Sequence, residues 1–161
     1  MNAEGLGRYL TFELADELFA VEVERVEVVL ETATITRVPK AAAYLKGVIN
    51  YRGAVIPVAD LRVRFGVDAA PTENAAAIVV LRIRYGAEDL TIGMLADKVL
   101  EVIELSPSQI ERPPQIGAKV DDELVAGIGR HGDRFIVILD IDQALKTATA
   151  VRPGEMRMDP W

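Results

Sequence analysis

Few side chains in this sequence could do acid–base chemistry, and each sits in a context that favours a simpler role. The single histidine, His131, lies in the polar run 130–133, which is typical of a hairpin tip. A catalytic imidazole is the functional alternative, but the run favours an exposed turn residue. Asp60 and Asp140 each follow an apolar run and could form paired acids. Each also precedes a short helical stretch, which favours a helix-capping carboxylate.

The sequence also lacks the motifs that hold metals, cofactors or phosphates. The acidic triplet Asp121-Asp122-Glu123 has neither the alternating oxygen ligands nor the central glycine of a calcium loop, so we predict a solvated loop. There is no cysteine, which excludes disulfides and cysteine-ligated zinc. No glycine-rich phosphate loop or dinucleotide fingerprint is present. We expect no catalytic residues, no metal and no cofactor, and therefore not an enzyme.

Composition and charge narrow the class further. The 161 residues are 50% hydrophobic and 27% charged, enough to bury a core without a metal or a disulfide. A formal net charge of −7, with no run of lysine or arginine, argues against nucleic acid as a partner. No apolar stretch approaches the roughly 20 residues of a membrane span, and the N-terminus has no signal-peptide pattern. We expect a soluble, cytoplasmic protein without direct membrane contact.

Alternating apolar and polar residues predict hairpins over 9–23, 45–61 and 78–96. Pro57 cannot donate to a ladder, so we expect it at an edge or a bulge. The segment after the first hairpin is ambiguous, because Val26, Val29 and Leu30 fall at helical spacing while the density of valine favours a strand. We predict a short helix there.

The second half of the chain repeats the first. Residues 99–103 echo 26–30 at an offset of 73, and residues 127–140 echo 47–60 at an offset of 80. About ten short strands with frequent turn signals predict two small barrels. We expect the connection between them over 66–77 and flexible ends at 1–8 and 149–161. Whether the first or last strand crosses into the other barrel stays open.

Three stretches resemble the CheW family of bacterial chemotaxis coupling proteins: residues 9–14, 45–62 and 93–99. The second matches the family pattern Gly-Val-x-Asn-Leu-Arg-Gly-x-x-x-Pro-x-x-Asp-Leu-Arg except for Tyr51 in place of leucine. The resemblance implies that residues 9–148 form a mainly β domain of two SH3-like five-stranded barrels packed together, with short helices. It also implies a non-enzymatic adaptor that bridges membrane-embedded chemoreceptors to the regulatory domain of the histidine kinase CheA.

The resemblance also assigns receptor-binding residues. The candidates are Val26, Val28, Gly47, Arg52, Gly53 and Val99. Val26, Arg52 and Gly53 match family positions implicated in receptor binding, and Gly47 belongs to the same motif. The three valines would supply apolar contact area, and the guanidinium of Arg52 suits a receptor carboxylate or helix-end carbonyls.

Val28 departs from the family pattern, which commonly has glutamate at this position. If the segment is a helix, Val28 lies off the core face; if it is a strand, Val28 shares a face with Val26 and both belong to the core. Together with Tyr51, this departure keeps open an adaptor in a non-chemotaxis pathway that controls surface motility or a second messenger. A rival from another class is a small-molecule-binding or enzymatic β-barrel protein. The family role implies recruitment to the inner face of the membrane through receptor arrays.

Overall fold

The computed structural model describes residues 6–31, 33–40, 44–64, 77–112 and 124–145. This part of the chain contains two short helices, α1 (Leu61–Arg64) and α2 (Ile141–Ala144), and 3₁₀ turns at Val23–Arg25 and Pro107–Gln109. Its eleven strands are β1 (Gly7–Leu14), β2 (Glu17–Glu22), β3 (Val26–Leu30), β4 (Leu45–Tyr51), β5 (Ala54–Ala59), β6 (Ala77–Tyr85), β7 (Glu88–Ala96), β8 (Lys98–Leu105), β9 (Ile110–Glu111), β10 (Val125–His131) and β11 (Arg134–Leu139).

The three predicted hairpins are confirmed as β1–β2, β4–β5 and β6–β7, and β10–β11 forms a fourth. The first strand begins at Gly7, inside the N-terminal segment that we expected to be flexible. Residues 66–76 of the expected connection, the acidic triplet Asp121-Asp122-Glu123 and the tail 149–161 lie outside the described residues. The division of the chain near 66–77 stays a prediction.

The strands form two sheets that exchange hairpins. The first barrel has the strand order β3-β6-β7-β5-β4, and the second barrel has β8-β1-β2-β11-β10-β9. Each barrel therefore takes one hairpin from the other half of the chain. The exchanged hairpins join by equivalent short parallel pairings, Val58 with Gly93 in the first barrel and Ile138 with Ala20 in the second. The mainly β prediction, with two SH3-like barrels and short helices, is confirmed.

Three apolar clusters explain why the exchanged hairpins are apolar on both faces. Each barrel encloses a small cluster of its own, and a larger central cluster lies between the barrels. In β7, Met94 faces the central cluster while Leu95 faces the interior of the first barrel. In β2, Phe19 faces the central cluster while Ala20 faces the interior of the second barrel. Strands buried on both faces carry near-continuous apolar runs, as these do.

The helix predicted around Val26 and Val29 is wrong. Helical geometry is confined to the 3₁₀ turn at Val23–Arg25, and Val26–Leu30 is strand β3, paired with β6. The density of β-branched residues therefore outweighed the helical spacing. The spacing itself arises from a shift in strand register between Val26 and Val28, which breaks the usual alternation. As a result, Val26 and Val29 pack against the central cluster, and Val28 packs inside the first barrel.

Pro57 lies in an internal strand rather than at an edge, because β5 sits between β7 and β4. Its partner in β4 is Val48, whose own N–H and C=O bond to Thr36 on the opposite side. Val48 and Pro57 therefore form a pair that exchanges no hydrogen bonds, so the ladder between β4 and β5 needs no N–H at position 57. The parallel pairing with β7 on the other side begins only at Val58. The bridge between Thr36 and Val48 is the counterpart of the two-residue strand β9.

Ion pairs tie each crossover between the barrels to a short helix. Arg25, at the crossover from β2 to β3, donates two hydrogen bonds to the Asp142 carboxylate in α2, at 2.6 and 3.0 Å. Arg62 of α1 pairs with Asp97 at the crossover from β7 to β8, with 3.1 Å between Nη1 and Oδ1. Asp97 also accepts the backbone N–H of Ala15 at 2.7 Å. We call the Arg25–Asp142 contact the first crossover ion pair and the Arg62–Asp97 contact the second crossover ion pair.

The second crossover ion pair is anchored in the protein interior. The Arg62 side chain is fully buried and donates to both carboxylate oxygens of Asp60, each at 2.9 Å. The side-chain hydrogen bond that Arg62 donates to Asp60 is the main reason that the pKa of Arg62 is raised. A buried charge is tolerated only when it is paired and hydrogen-bonded. Asp60 and Arg62 satisfy each other, and Asp97 links them to the other barrel.

The first crossover ion pair makes stability depend on acid pH. Burial disfavours the charged carboxylate of Asp142, but hydrogen bonds from the Arg25 side chain and the Arg84 backbone outweigh it, so its pKa is lowered. A lowered folded-state pKa contributes stability that is complete above the ordinary aspartate pKa and is lost as the pH falls through the folded value. We predict that Asp142→Asn lowers the free energy of unfolding by about 2 kcal/mol at pH 7.

Thermal unfolding followed by circular dichroism checks this prediction. The difference between wild type and Asp142→Asn should shrink once the pH is well below the ordinary aspartate pKa of about 3.9. Asp89→Asn is the matched control, because its pair with Arg84 at 3.3 Å is exposed and should contribute less than about 0.5 kcal/mol. Equal effects of the two substitutions at pH 7 would contradict the prediction.

Candidate partner-binding surface

The two-residue turn between β4 and β5 lies at one end of the first barrel and is exposed. Arg52 and Gly53 both have positive φ, +56° and +85°, as a two-residue hairpin turn of the primed type requires. The Asn50 Oδ1 atom accepts the backbone N–H of Gly53 at 2.9 Å. The candidate residues Arg52 and Gly53 therefore occupy a hydrogen-bonded turn that is exposed to solvent.

The guanidinium of Arg52 stacks on its neighbour Tyr51. The distance from the Arg52 Cζ to the ring centroid is 5.2 Å, within cation–π range. Tyr51 is half-buried and packs against the apolar cluster of the first barrel, as Val28 does. None of the ion pairs between described residues includes Arg52. Its charge is therefore held over a ring and has no ion-pair partner in the part of the chain that the structure describes.

The equivalent turn of the second barrel, at the end of β10, is built differently. Gly132 takes the position of Arg52, with a φ of +66°. The nearby Arg130 lies over the exposed ring of Phe135 at 5.6 Å, and its Nη2 is 3.8 Å from a carboxylate oxygen of Glu111. The barrel fold therefore does not need arginine at this corner. An arginine that stacks on a ring and has no carboxylate partner among the described residues is particular to the first barrel.

The three candidate valines are all half-buried but do not form one group. Val26 in β3 and Val99 in β8 pack against the central cluster between the barrels. Val28 packs inside the first barrel, on the cluster that also supports Tyr51. A glutamate at position 28 would place a carboxylate against this apolar cluster, so the departure from the family pattern is consistent with the packing here.

The two candidate glycines have different surroundings. Gly47 is buried in β4, and a Cβ added there would collide with the backbone carbonyl of Thr36. A Cβ at Gly53 would meet nothing. Position 47 therefore requires glycine for the fold, because strand β4 and the Thr36 segment approach too closely for any side chain. Gly53 needs glycine only for its backbone conformation.

Three exposed apolar residues, one beside this turn and two on the second barrel, were not predicted from the sequence. Val55, just after the Arg52-Gly53 turn, is 71% exposed, and Leu100 and Val102 on the outer side of edge strand β8 are 38% and 44% exposed. Leu100 and Val102 are two residues apart, so the alternation of side chains along β8 places them on the same face of the strand. The sequence does not show which face is exposed, and apolar residues are therefore assigned to the core.

The predicted exposure of His131 and the predicted capping by Asp60 and Asp140 are confirmed. His131 is the exposed last residue of β10. Asp140 caps α2 by accepting the backbone N–H of Gln143 at 3.2 Å. Asp60 accepts the backbone N–H of Arg62 in α1 at 3.0 Å, and it also forms the buried ion pair, which the sequence reasoning missed. The described residues contain no cluster of metal-ligating side chains.

Two exchanged SH3-like barrels, with an exposed cationic turn on one of them, define a β-rich protein of the double-barrel class. A family model described as the CheW-like domain matches residues 8–149. The chain therefore belongs to the family of CheW-like domains. Members of this family are noncatalytic adaptors of chemotaxis signalling, so the chain is an adaptor or scaffold protein and not an enzyme.

Individual relatives agree with this assignment. The chemotaxis protein CheW of Thermotoga maritima is 32% identical over 143 residues, covering 87% of this chain and 88% of the relative. The chemotaxis protein CheW of Treponema pallidum is 28% identical over 132 residues, covering 82% of this chain and 78% of the relative. The crystal structure of the scaffolding protein TtCheW from Thermoanaerobacter tengcongensis superposes with a TM-score of 0.77 and 30% identity, covering 87% of this chain and 92% of that one. Among the described residues, no helix is long and apolar enough to cross a membrane.

The difference between the two glycines gives a direct prediction. Gly47→Ala should lower the free energy of unfolding by about 3 kcal/mol, because the backbone of Thr36 cannot move aside cheaply. Gly53→Ala should cost only about 1 kcal/mol, for the left-handed backbone alone. Chemical denaturation measures both. A smaller loss for Gly47→Ala than for Gly53→Ala would contradict the packing described here.

Proposed function

We propose that this chain couples transmembrane chemoreceptors to the regulatory domain of a CheA-type histidine kinase. The observation that carries the proposal is the exposed Arg52-Gly53 turn, which matches the receptor-binding motif of the family and presents an arginine with no ion pair among the described residues. Family membership and the similarity to a crystallised scaffolding protein support the adaptor role.

On the receptor side, the partner is the membrane-distal helical hairpin of a methyl-accepting chemoreceptor, bound in the helix-in-groove manner. Arg52 orients the contact, and Gly53 keeps the turn narrow. The half-buried Val26, Val28 and Val99 supply apolar area to the contact, and Gly47 keeps β4 against the Thr36 segment. An arginine beside apolar area is a common composition for a binding hot spot.

On the kinase side, a separate edge pairs end to end with a barrel of the kinase regulatory domain. Two rigidly joined barrels keep the two sites at a fixed distance, so that each bound partner raises the effective concentration of the next. The protein acts in the cytoplasm and reaches the inner face of the membrane through receptor arrays, without nucleic acid or direct lipid contact. An adaptor of a chemosensory pathway for surface motility or second-messenger control would use the same surfaces, and the receptors that co-purify with it distinguish the two.

Charge reversal at the turn tests the receptor contact. We predict that Arg52→Glu weakens binding to a soluble chemoreceptor fragment at least about tenfold, because a carboxylate then faces the receptor group that the arginine attracts. Surface plasmon resonance with the immobilised fragment measures the affinity. Arg130→Glu, at the equivalent hairpin of the second barrel, is the matched control and should leave receptor affinity unchanged.

Arg52→Gly separates binding from folding. Glycine removes the strain of a left-handed arginine, a cost of about 1 kcal/mol, while adding a similar loss through the unfolded state. The melting temperature should therefore stay within a few degrees of wild type, while receptor affinity falls. Unchanged receptor affinity in folded Arg52→Glu and Arg52→Gly would show that Arg52 is not a receptor contact.

A further inference from the structure

Tyr51 supports the exposed guanidinium of Arg52 from below. Its half-buried ring packs against the apolar cluster of the first barrel, and the Arg52 Cζ lies 5.2 Å from the ring centroid. The cluster fixes the ring, and the negative face of the ring attracts the cation. A free arginine at a hairpin tip samples many rotamers, so the stacking restricts the positions that this guanidinium occupies.

The backbone at Arg52 has a conformation that disfavours any residue with a side chain. Its φ of +56° is strained for a residue with a side chain, whereas the equivalent residue of the second barrel is Gly132 with a φ of +66°. Gly132 shows that the fold accepts glycine at this corner. A strained residue that the fold does not require points to a functional demand at that position.

The donors of Arg52 are open to a group from another molecule. Among the described residues, no carboxylate lies within ion-pair distance of it, whereas Arg130 of the second barrel combines its ring contact with Glu111 at 3.8 Å. A guanidinium offers five N–H donors in a planar fork that matches the two oxygens of a carboxylate. Arg52 therefore has the ring contact that Arg130 has but, among the described residues, it lacks the carboxylate contact.

We propose that Tyr51 is a positioning residue that holds Arg52 ready to bind an aspartate or glutamate side chain of the receptor. This inference rests on the proposed receptor contact and names the chemistry of the group that Arg52 meets. A stacked guanidinium loses less conformational entropy when it binds, so Tyr51 increases affinity without contacting the carboxylate itself. Charge-assisted, two-pronged hydrogen bonds then give the contact its strength and direction.

A double-mutant cycle tests the inference on the full chain. Isothermal titration measures binding of a soluble fragment containing the helical tip of a chemoreceptor from the same organism. Tyr51→Phe keeps the ring and should bind within about twofold of wild type, whereas Tyr51→Leu should bind about threefold more weakly, a factor converted from the strength of an exposed cation–π pair. In the Arg52→Gln background, Tyr51→Leu should have no further effect.

Salt dependence and a second-barrel variant complete the test. Raising the salt concentration should weaken binding by wild type more than by Arg52→Gln, because the carboxylate contact is ionic. Phe135→Leu removes the ring under Arg130 in the second barrel and should leave receptor affinity unchanged. Circular dichroism melting verifies that each variant is folded.

The possible failures are distinguishable. Additive effects of Tyr51→Leu and Arg52→Gln would overturn the inference, because Tyr51 would then act independently of Arg52. Equal losses in Tyr51→Phe and Tyr51→Leu would overturn it too, since the hydroxyl rather than the ring would matter. Equal salt dependence in wild type and Arg52→Gln would exclude the carboxylate. If wild type does not bind any receptor fragment, the proposed function fails and the inference fails with it.

Discussion

The structure depends on the burial of two hairpins that are apolar on both faces. Neither β1–β2 nor β6–β7 can expose a face to water, so each completes one barrel with its inner face and meets the central cluster with its outer face. Because each hairpin belongs to the opposite half of the chain, neither barrel is complete without the other. This interdependence holds the two barrels together as one unit.

The crossover ion pairs also join the two halves of the chain. The first half carries two arginines, Arg25 and Arg62, and the second half carries two aspartates, Asp97 and Asp142; each pair joins one half to the other. Both pairs therefore add to the stability of the contact between the halves.

The sequence predicts much of this fold because turns and alternation are local. Glycine-bearing turns and the internal repeat identified the hairpins and two similar barrels, and the Gly47–Arg62 motif identified the family. The exchange of hairpins is not a local feature, because it depends on which half of the chain covers each hairpin. Barrels closed with and without exchange satisfy the same pattern of apolar and polar residues. The helix predicted around Val26 failed because a register shift at Glu27 mimics helical spacing. The stacking of Arg52 on Tyr51 escaped notice because Tyr51 counted only as a departure from a motif.

We propose that one rigid molecule joins a receptor to a kinase. Co-sedimentation of a CheA-type kinase with receptor-containing membranes, across a titration of this protein, tests it most directly. A linker with two sites predicts that sedimented kinase first rises and then falls, because excess linker occupies receptors and kinase separately. Kinase sedimentation that does not depend on this protein at any concentration would contradict the account.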